Sequence, residues 1–458
     1  NVRLVQNDSI TITGNRGDYN GQTKQAAMRG NVVMNDGTKT LTTEELDYDM
    51  RTSVAYYPVD GTIVEADNTI TSQQGYYNTQ TKVFTFERDV VMLNPKYKLT
   101  SDKVIYNSLT KTAYFTTPTR IEGKDGTLVS TDGEYNTQTG ASVFRARSSI
   151  EYDTYTLTGD RLNYNKIENV GLATGNVLLY AKEDSVVVQG DTGRYFGQVG
   201  LSKIYGKALM QKLMQKDTLY ITGDTLVSVD NKETNVKKIF AYNNVRIFRQ
   251  DLQGKCDSLV YNQTDSTIQF YRDPVLWNDK SQLTADTIRI QLANNAIDRM
   301  FLRTNSFVIS LDTLKNFNQV KGRQMVAYFN KDRQLYRVTV NGNGENVTWV
   351  LNDENTRIRG VNKVECSNMN ISLTDGKVRR VAFLNKPDAV MIPPHEIVEP
   401  DTRLRGFKWR EKEKPTRADV LVRAQQPVPV ATRSKVSNQP ATKAVAPVKR
   451  SKARQGTR

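Results

Sequence analysis

The sequence lacks long hydrophobic runs and has few cysteines and histidines. No run of about 18 apolar residues occurs, which predicts that no helix of the chain spans a membrane. The 458 residues include two cysteines, Cys256 and Cys366, and one histidine, His395. The cysteines do not have the spacing of metal ligands, and one histidine without partners predicts neither a metal site nor a catalytic relay. We therefore expect no metal, no cofactor and no histidine-based catalysis.

Apolar residues are slightly scarce as well. The hydrophobic fraction is 38%, against roughly 45–50% in globular proteins when glycine is counted. The 28 glycines make the deficit small. Such a composition is typical of a protein with a high ratio of surface to core.

The net charge of +15 is concentrated at the end of the chain. Residues 411–458 contain 12 Lys/Arg and 3 Asp/Glu, so the remainder is nearly balanced. No basic stripe occurs in the remainder, which predicts that nucleic acid is not a partner. Residues 411–458 contain no aromatic residue and five of the 13 prolines, a composition that favours a disordered, basic, Pro-rich tail. This tail is either a solvated linker or an electrostatic attachment to phosphate-bearing lipid, cell-wall polymer or a partner.

An internal repeat dominates the chain, and each unit begins with an aliphatic residue. The first five spacings between these residues are 29 residues each, and later ones are 31 to 38. The unit openers are Ile12, Leu41, Ile70, Leu99, Leu128, Leu157, Val188, Ile221, Leu252, Leu283, Val320 and Ile358.

Two further columns accompany the openers. A small residue stands two positions later in every unit: Gly14, Thr43, Ser72, Ser101, Ser130, Gly159, Gly190, Gly223, Gly254, Ala285, Gly322 and Gly360. A tyrosine stands seven positions later in the first seven units: Tyr19, Tyr48, Tyr77, Tyr106, Tyr135, Tyr164 and Tyr195.

Each unit is predicted to be two β-strands joined by turns. Stretches such as "LTSDKVIYN" (99–107) alternate apolar and polar residues and are rich in β-branched and aromatic types. In a regular strand Leu99 and Val104, which are five positions apart, would point to opposite faces. We therefore expect a bulge or bend at the small residue that brings both to one face. "NTQTK" (78–82) and "NDG" (35–37) are turn sequences. No segment has a helical period.

One column alternates between small and large residues. Five positions after the opener the chain has Gly17, Leu46, Gly75, Val104, Gly133, Leu162, Gly193 and Leu226. Such alternation occurs inside tapered β-structures. The structural unit is therefore expected to be a pair of repeats.

Twelve such units cannot bury their apolar faces singly, so we expect them to stack into an elongated all-β body. We predict regular repeats over 1–282, a less regular continuation with a C-terminal cap over 283–410, and the disordered tail over 411–458. Cys256 and Cys366 lie about three repeats apart in this stack, so a disulfide, which needs Cα atoms within about 7 Å, is not expected.

The columns resemble the OstA-like, or LptA-like, family of periplasmic proteins of lipopolysaccharide export. The resemblance covers roughly residues 3–385 and is carried by "LTSDKVIYN" (99–107), "LTGDRLNYN" (157–165) and "LTADTIRIQ" (283–291), interleaved with "GNVVM" (30–34), "GNVLLY" (175–180) and "NNVRIF" (243–248). It implies an open β-jellyroll, two sheets that meet like a folded card, with acyl chains in an apolar groove. This chain has many more units than a typical short member, and it adds the basic tail.

The resemblance also implies a function. The chain would be a periplasmic bridge that carries lipid A acyl chains from the inner to the outer membrane, with its signal peptide already removed. Its partners would be lipopolysaccharide and the inner- and outer-membrane transport components, joined by strand addition at the sheet edges, together with end-to-end self-association. The predicted groove-lining residues are Leu41, Leu46, Leu99, Val104, Leu128, Leu157, Leu162, Val188, Ile221, Leu226, Leu252, Leu283 and Ile288.

Two other function classes compete with lipid transport. A structural or adhesive β-solenoid would have the same columns as a filled core. A β-helix enzyme acting on polysaccharide would need acids clustered on one face. Asp102, Asp160, Asp191, Asp224 and Asp286 do recur at one phase. Their regularity favours a turn or bulge role, because a catalytic site is local, and we predict that the protein is not an enzyme.

Overall fold

The computed structural model describes residues 2–6, 10–124, 126–153, 155–183, 185–214, 217–231, 235–278, 280–294, 296–332, 334–374 and 377–425. Within these ranges the chain is almost entirely β-structure, as predicted. No helix in the described part of the chain is long and apolar enough to cross a membrane.

The strands follow one another at short intervals, in accord with the repeat. The first twelve are β1 (Val2–Gln6), β2 (Ile10–Gly14), β3 (Arg16–Asn20), β4 (Gln25–Asn35), β5 (Lys39–Asp49), β6 (Val54–Tyr57), β7 (Gly61–Glu65), β8 (Asn68–Ser72), β9 (Gln74–Asn78), β10 (Val83–Asn94), β11 (Tyr97–Asn107) and β12 (Thr112–Phe115). The next twelve are β13 (Thr119–Gly123), β14 (Gly126–Ser130), β15 (Gly133–Asn136), β16 (Ser142–Phe144), β17 (Ser148–Glu151), β18 (Tyr155–Gly159), β19 (Arg161–Asn165), β20 (Val170–Ala181), β21 (Val186–Phe196), β22 (Leu201–Leu213), β23 (Thr218–Asn231) and β24 (Val236–Arg249).

The remaining strands are β25 (Leu252–Asn262), β26 (Thr267–Tyr271), β27 (Val275–Asn278), β28 (Ser281–Thr284), β29 (Thr287–Ala293), β30 (Ala296–Leu311), β31 (Phe317–Phe329), β32 (Leu335–Leu351), β33 (Ile358–Thr374), β34 (Lys377–Leu384) and β35 (Asp388–Ile392). They include β32 and β33, which at 17 residues each are the longest in the described part of the chain. Short 3-10 helices occupy Gly197–Val199, Pro394–Glu396, Glu399–Thr402 and Glu411–Glu413, and α1 is Arg417–Gln425.

The antiparallel pairings form two hydrogen-bonded ladders. In β5, Lys39–Thr43 pair with β7, whereas Asp47–Asp49 pair with β6. The pairing of β5 with β7 continues through β8, β10 and β11, and we call this series ladder A. The pairing of β5 with β6 continues through β9, β10 and β11, and we call this series ladder B. A long strand therefore contributes one half to each ladder, which is the folded-card arrangement expected from the resemblance. Pairing runs without interruption across residue 282, and a domain division there stays a prediction.

The chain passes from one ladder to the other at a bend. Within the described residues, nine of these bends contain two consecutive residues of positive φ: Gly30–Asn31, Arg88–Asp89, Gly175–Asn176, Gly206–Lys207, Asn243–Asn244, Arg272–Asp273, Thr304–Asn305, Gly342–Asn343 and Asn385–Lys386. Such a pair leaves two residues out of the ladder and turns the strand. The predicted irregularity is confirmed, since the register shifts between Arg29 and Val32 opposite the small residue Thr43.

Hydroxyl groups explain part of the small-residue column. Thr43, Ser72, Ser101 and Ser130 each donate a hydrogen bond to the carbonyl group two residues later, over 3.0–3.3 Å. The side chain thus replaces a ladder hydrogen bond that the bend removes. In the later units the same position is mostly glycine.

The interior between the ladders contains two apolar clusters. The first cluster extends from Ile10 to Val177, and the second extends from Val186 to Met369. Cys256 and Cys366 are buried and free, as expected, and burial raises the pKa of the Cys256 thiol to about 12.

Residues 393–425 leave the ladders and lie on the outer face of ladder A; we call them the strap. This corrects the prediction of a tail that is disordered from residue 411 and the absence of any helix. Glu411–Glu413 and α1 are ordered because Glu413 pairs with Lys255, 2.6 Å away, and Val420 packs with Leu209 and Tyr220. Residues 426–458, the remainder of the predicted tail, lie outside the described residues.

Candidate lipid-binding interior

The structure places the predicted groove residues inside the two-ladder body. Most are buried, with at most 8% of the residue exposed: Leu41, Leu46, Leu99, Val104, Leu162, Ile221, Leu226, Leu252 and Ile288. Leu128, Leu157, Val188 and Leu283 are half-buried. The side chains therefore form a shared interior, and whether they contact lipid stays a prediction.

Aromatic rings explain two of the glycines in the alternating column, Gly75 and Gly133. Tyr57, Phe86, Phe115 and Phe144 are at most 2% exposed and lie in ladder B beside these two glycines. A Cβ at Gly75 would be 2.5 Å from Cζ of Tyr57, and a Cβ at Gly133 would be 2.7 Å from the ring of Phe144. Each glycine therefore leaves room for the rings on its neighbours. The interior is filled by the protein's own side chains over this part of the chain.

The turns farthest from the bends form two lips, one on each ladder. Over the first units these lips are joined. Asp36, in a ladder A turn, forms an ion pair with Lys82 in a ladder B turn, with Nζ and Oδ2 3.0 Å apart. Glu65 and Lys111 repeat the pair one unit later at 3.0 Å. Lys39 lies between the two acids and connects them.

Buried tyrosines reinforce these cross-lip pairs. Tyr77 donates a hydrogen bond to Asp36, and Tyr106 donates one to Glu65. The carboxylate of Asp36 is 1% exposed. Burial alone would raise its pKa, but the hydrogen bond from Tyr77 and the ammonium groups of Lys82 and Lys39 hold the pKa well below its usual range. We call this set of five charged residues and two tyrosines the zipper.

The zipper was missed in the sequence, although its members are periodic. Asp36 and Glu65 are 29 residues apart, as are Lys82 and Lys111. The acids and the lysines occupy different phases of the repeat, so only the fold shows that they meet. Of the tyrosine column, Tyr48, Tyr77 and Tyr106 are buried in this region, whereas Tyr19 is 53% exposed.

The middle of the chain differs from the zipper region. The half-buried residues packed against the end of the first cluster and the start of the second are Leu128, Tyr135, Ile150, Leu157, Leu179, Ala181 and Val188. Here tyrosines stand at the lips: the rings of Tyr152 and Tyr155 stack with centroids 4.5 Å apart. Burial and the neighbouring tyrosines, Tyr195 among them, raise the pKa of Tyr155.

The strap is held by two glutamines that the sequence reading also missed. Gln282 donates to the carbonyl oxygen of Lys408 over 2.7 Å and accepts from the backbone N–H of Arg410 over 2.6 Å. Gln319 makes the same pair of bonds with Thr402 and Leu404, over 2.7 and 2.9 Å. Both glutamines are at most 1% exposed. Each glutamine side chain thus bonds to the backbone of two strap residues that are two positions apart.

Apolar and charged contacts complete the strap. Phe407 and Trp409 pack against Phe317, with ring centroids 5.1 and 5.4 Å away. Arg410 forms ion pairs with Asp273 and Glu413 at 2.8 and 2.7 Å. Arg410 and Lys255 lower the pKa of Glu413 to about 2. The strap thus adds a third layer to the later units.

The described residues contain no cluster of three or more His, Cys, Asp or Glu side chains that could hold a metal ion. The recurrent aspartates are exposed or half-buried beside the bends, where Asp160, for example, pairs with Arg147 at 2.8 Å. A surface depression of about 460 Å³ lies on the outer face of ladder B between Tyr114 and Leu172.

The two-ladder stack of bent strands defines a repetitive β-jellyroll. A family model described as OstA-like protein matches residues 1–102 and 98–160. A second, described as LptA/(LptD N-terminal domain) LPS transport protein, matches residues 213–296. These matches to models of OstA-like and LptA/LptD lipopolysaccharide-transport proteins confirm the resemblance seen in the sequence.

Among solved structures, one similar chain is LptH, the LptA-homologous periplasmic component of the lipopolysaccharide transport device from Pseudomonas aeruginosa. It is 14% identical, with a TM-score of 0.20, and the match covers 21% of this chain and 75% of that one. Such a TM-score carries no structural argument. No curated protein matches the chain.

Proposed function

We propose that this protein binds the acyl chains of lipopolysaccharide between its two ladders and carries the lipid through the periplasm from the inner to the outer membrane. The observation that carries the proposal is the apolar interior, which recurs at every unit from Ile12 to Met369 in a chain that matches models of lipopolysaccharide-transport proteins. No chemistry is required of the protein itself, so the driving energy comes from a partner.

The energetics favour a repeated interior over a single pocket. Each methylene group removed from water contributes about 0.8 kcal/mol, so a lipid with several acyl chains cannot cross an aqueous compartment exposed. Units of similar composition offer similar binding free energies along the stack. A lipid can then advance from one unit to the next, whereas one deep pocket would retain it.

The ends of the ladders support docking by strand addition. At the N-terminal end, Val2 and Val5 of β1 are 39% and 48% exposed; at the other end, Val390 and Met391 of β35 are 55% and 52% exposed. Exposed apolar edge strands pair readily with another chain. The first edge would meet a like-folded inner-membrane component and the second the outer-membrane translocon, or the two edges would join copies of this chain end to end.

A binding experiment tests the proposal. The purified chain is incubated with intact lipopolysaccharide and, as a matched ligand, with lipopolysaccharide whose acyl chains have been removed. We expect the intact lipid alone to co-elute with the protein. Equal binding of the two ligands would contradict an acyl-chain site, and depletion of the protein in cells should trap lipopolysaccharide at the inner membrane.

A filled β-solenoid remains a second candidate because Tyr57, Phe86, Phe115 and Phe144 occupy the interior of the early units. A solenoid would bind neither ligand in the same experiment. The edge proposal has its own test: Val390→Lys should abolish capture of the outer-membrane component, whereas Val398→Lys, at a comparably exposed position in the strap, should not.

A further inference from the structure

The interior is not uniform, and one of its half-buried parts is a contiguous row in the middle of the chain. Leu128 is opposite Ile150, Ile150 is opposite Leu157, Leu157 is opposite Leu179, and Leu179 is opposite Val188. The five side chains lie on neighbouring strands of ladder A and face the interior. They form one continuous aliphatic row that is half-buried. We call it the middle row.

The preceding strands of the same ladder are closed. The residues that continue the row toward the N-terminus, Ile121, Leu99, Met92, Ile70 and Ile63, are at most 6% exposed. On ladder A the ion pairs of the zipper end at Glu65, and the next lip residue, Tyr97, packs against Tyr135 of ladder B. The middle row begins after these contacts.

Small residues and tyrosines distinguish the middle row from the closed part. Ala173, opposite Gly193 in ladder B, occupies the position where the earlier units have rings such as Phe144, and Gly159 and Gly190 lie at the bends. At the lips, Tyr152 and Tyr155 take the place of the charged pairs. Tyrosine is suited to a boundary between an apolar phase and water, because its ring is apolar and its hydroxyl group is polar.

The length of the row fits one acyl chain. Five strands at a spacing of about 4.8 Å span about 19 Å. One leaflet of a bilayer, which is half of a hydrocarbon core of about 30 Å, is about 15 Å thick. An extended acyl chain can therefore lie along the row with its methylene groups against all five side chains.

We propose that the acyl chains of the transported lipid enter the interior at the middle row, between the lips of strands β14 to β21, and that the zipper closes the preceding units to direct entry. This inference rests on the proposed function and specifies where along the chain it begins. Lipid bound at the row would then separate the two ladders locally.

Site-specific photocrosslinking of the full chain with lipopolysaccharide tests the inference. The crosslinking residue replaces Leu179, which faces the interior, or Leu178, which faces outward one position earlier; Leu157 and the buried Leu99 complete the set. We expect lipid adducts when the crosslinking residue is at position 179 or 157, and no adducts when it is at position 178 or 99. Circular dichroism of each variant verifies that the β-structure is retained.

The other outcomes separate this inference from the proposed function. Adducts at Leu99 as strong as those at Leu157 would overturn entry at the middle row while supporting lipid in the interior. Lipid binding with adducts only at Leu178, or at none of the four positions, would overturn both. Leu179→Asp supplies a second readout, since it should lower lipid binding whereas Leu178→Asp should leave it unchanged.

Discussion

The zipper region and the middle row are built from the same repeat but close differently. In the zipper region Asp36 pairs with Lys82 and Glu65 with Lys111, and rings such as Phe86 fill the interior. In the middle row aliphatic side chains are half-buried and tyrosines form the lips. A repeat fixes the path of the backbone, whereas the side chains at the lips decide whether the interior is accessible.

Removal of a zipper acid should have the largest effect. In Asp36→Ala the ammonium groups of Lys39 and Lys82 lose the carboxylate of residue 36 as a partner. Breaking a buried ion pair in this way costs about 3–5 kcal/mol, measured as the free energy of unfolding in urea. The matched control is Glu122→Ala, which breaks an ion pair with Arg120 whose side chains are 44% and 49% exposed, and which should change the free energy of unfolding far less. Equal effects would show that the zipper does not close the lips.

The second largest difference is expected when one glycine of each region, Gly75 or Gly159, is replaced by alanine. Gly75→Ala places a Cβ 2.5 Å from Cζ of Tyr57 and 2.9 Å from the carbonyl oxygen of Thr85. We expect a loss of stability at the upper end of about 1–3 kcal/mol. Gly159→Ala meets the flexible Cδ2 of Leu162 at 3.0 Å and should change stability much less. Thermal unfolding of both variants measures the difference, and a Gly159→Ala variant as unstable as Gly75→Ala would contradict a looser middle.

The strap extends the comparison to the later units. Gln319→Ala leaves the carbonyl group of Thr402 and the N–H of Leu404 without their partner, at a cost of about 1–3 kcal/mol. We expect faster hydrogen exchange at the Leu404 amide. Gln253→Ala is the control, because the Gln253 amide donates to the carbonyl oxygens of Arg249 and Gln250 within its own hairpin. Unchanged exchange in Gln319→Ala would mean that the glutamines do not hold the strap.

The smallest effect is expected from acidification, which should weaken the attachment of the strap to ladder A. Glu413 has a pKa of about 2 in the folded protein, below the ordinary value of 4.5. Its stabilising contribution is therefore complete above pH 4.5 and is lost as the pH falls toward 2. Protease sensitivity of the strap should rise over this interval in the native chain. In Glu413→Gln the sensitivity should be higher at neutral pH and should change less with acid; an unaltered pH profile would contradict the role of Glu413.

Local patterns predicted much of the fold. The opener column predicted the buried row from Ile12 onward, and the parity of Leu99 and Val104 predicted a bend at Ser101, where the serine hydroxyl group bonds to the carbonyl oxygen of Lys103. These predictions succeeded because each depends on residues close in sequence. The alternation of Gly75 with Val104 was visible, but its cause, the ring of Tyr57, lies on a neighbouring strand.

The zipper and the strap could not be predicted in the same way. Asp36 and Lys82 are 46 residues apart, so their meeting depends on how the two ladders close. Arg410 and Asp273 are 137 residues apart, and the strap has the composition of a tail that cannot fold alone. Its order comes from an outer face of ladder A that supplies Gln282, Gln319 and Phe317. Tertiary contacts thus override a disorder-prone composition over 411–425.

The distance between the lips in the presence of lipid distinguishes entry at the middle row from a closed interior. One pair of spin labels at Gly37 and Gln80 reports on the zipper, beside Asp36 and Lys82; a second pair at Asp153 and Gln198 reports on the middle row, beside Tyr155 and Tyr195. With saturating lipopolysaccharide, electron–electron distance measurements should show the second distance increasing and the first unchanged. Lipid bound with both distances unchanged, or with the zipper pair alone separating, would contradict entry of acyl chains between the lips of the middle row.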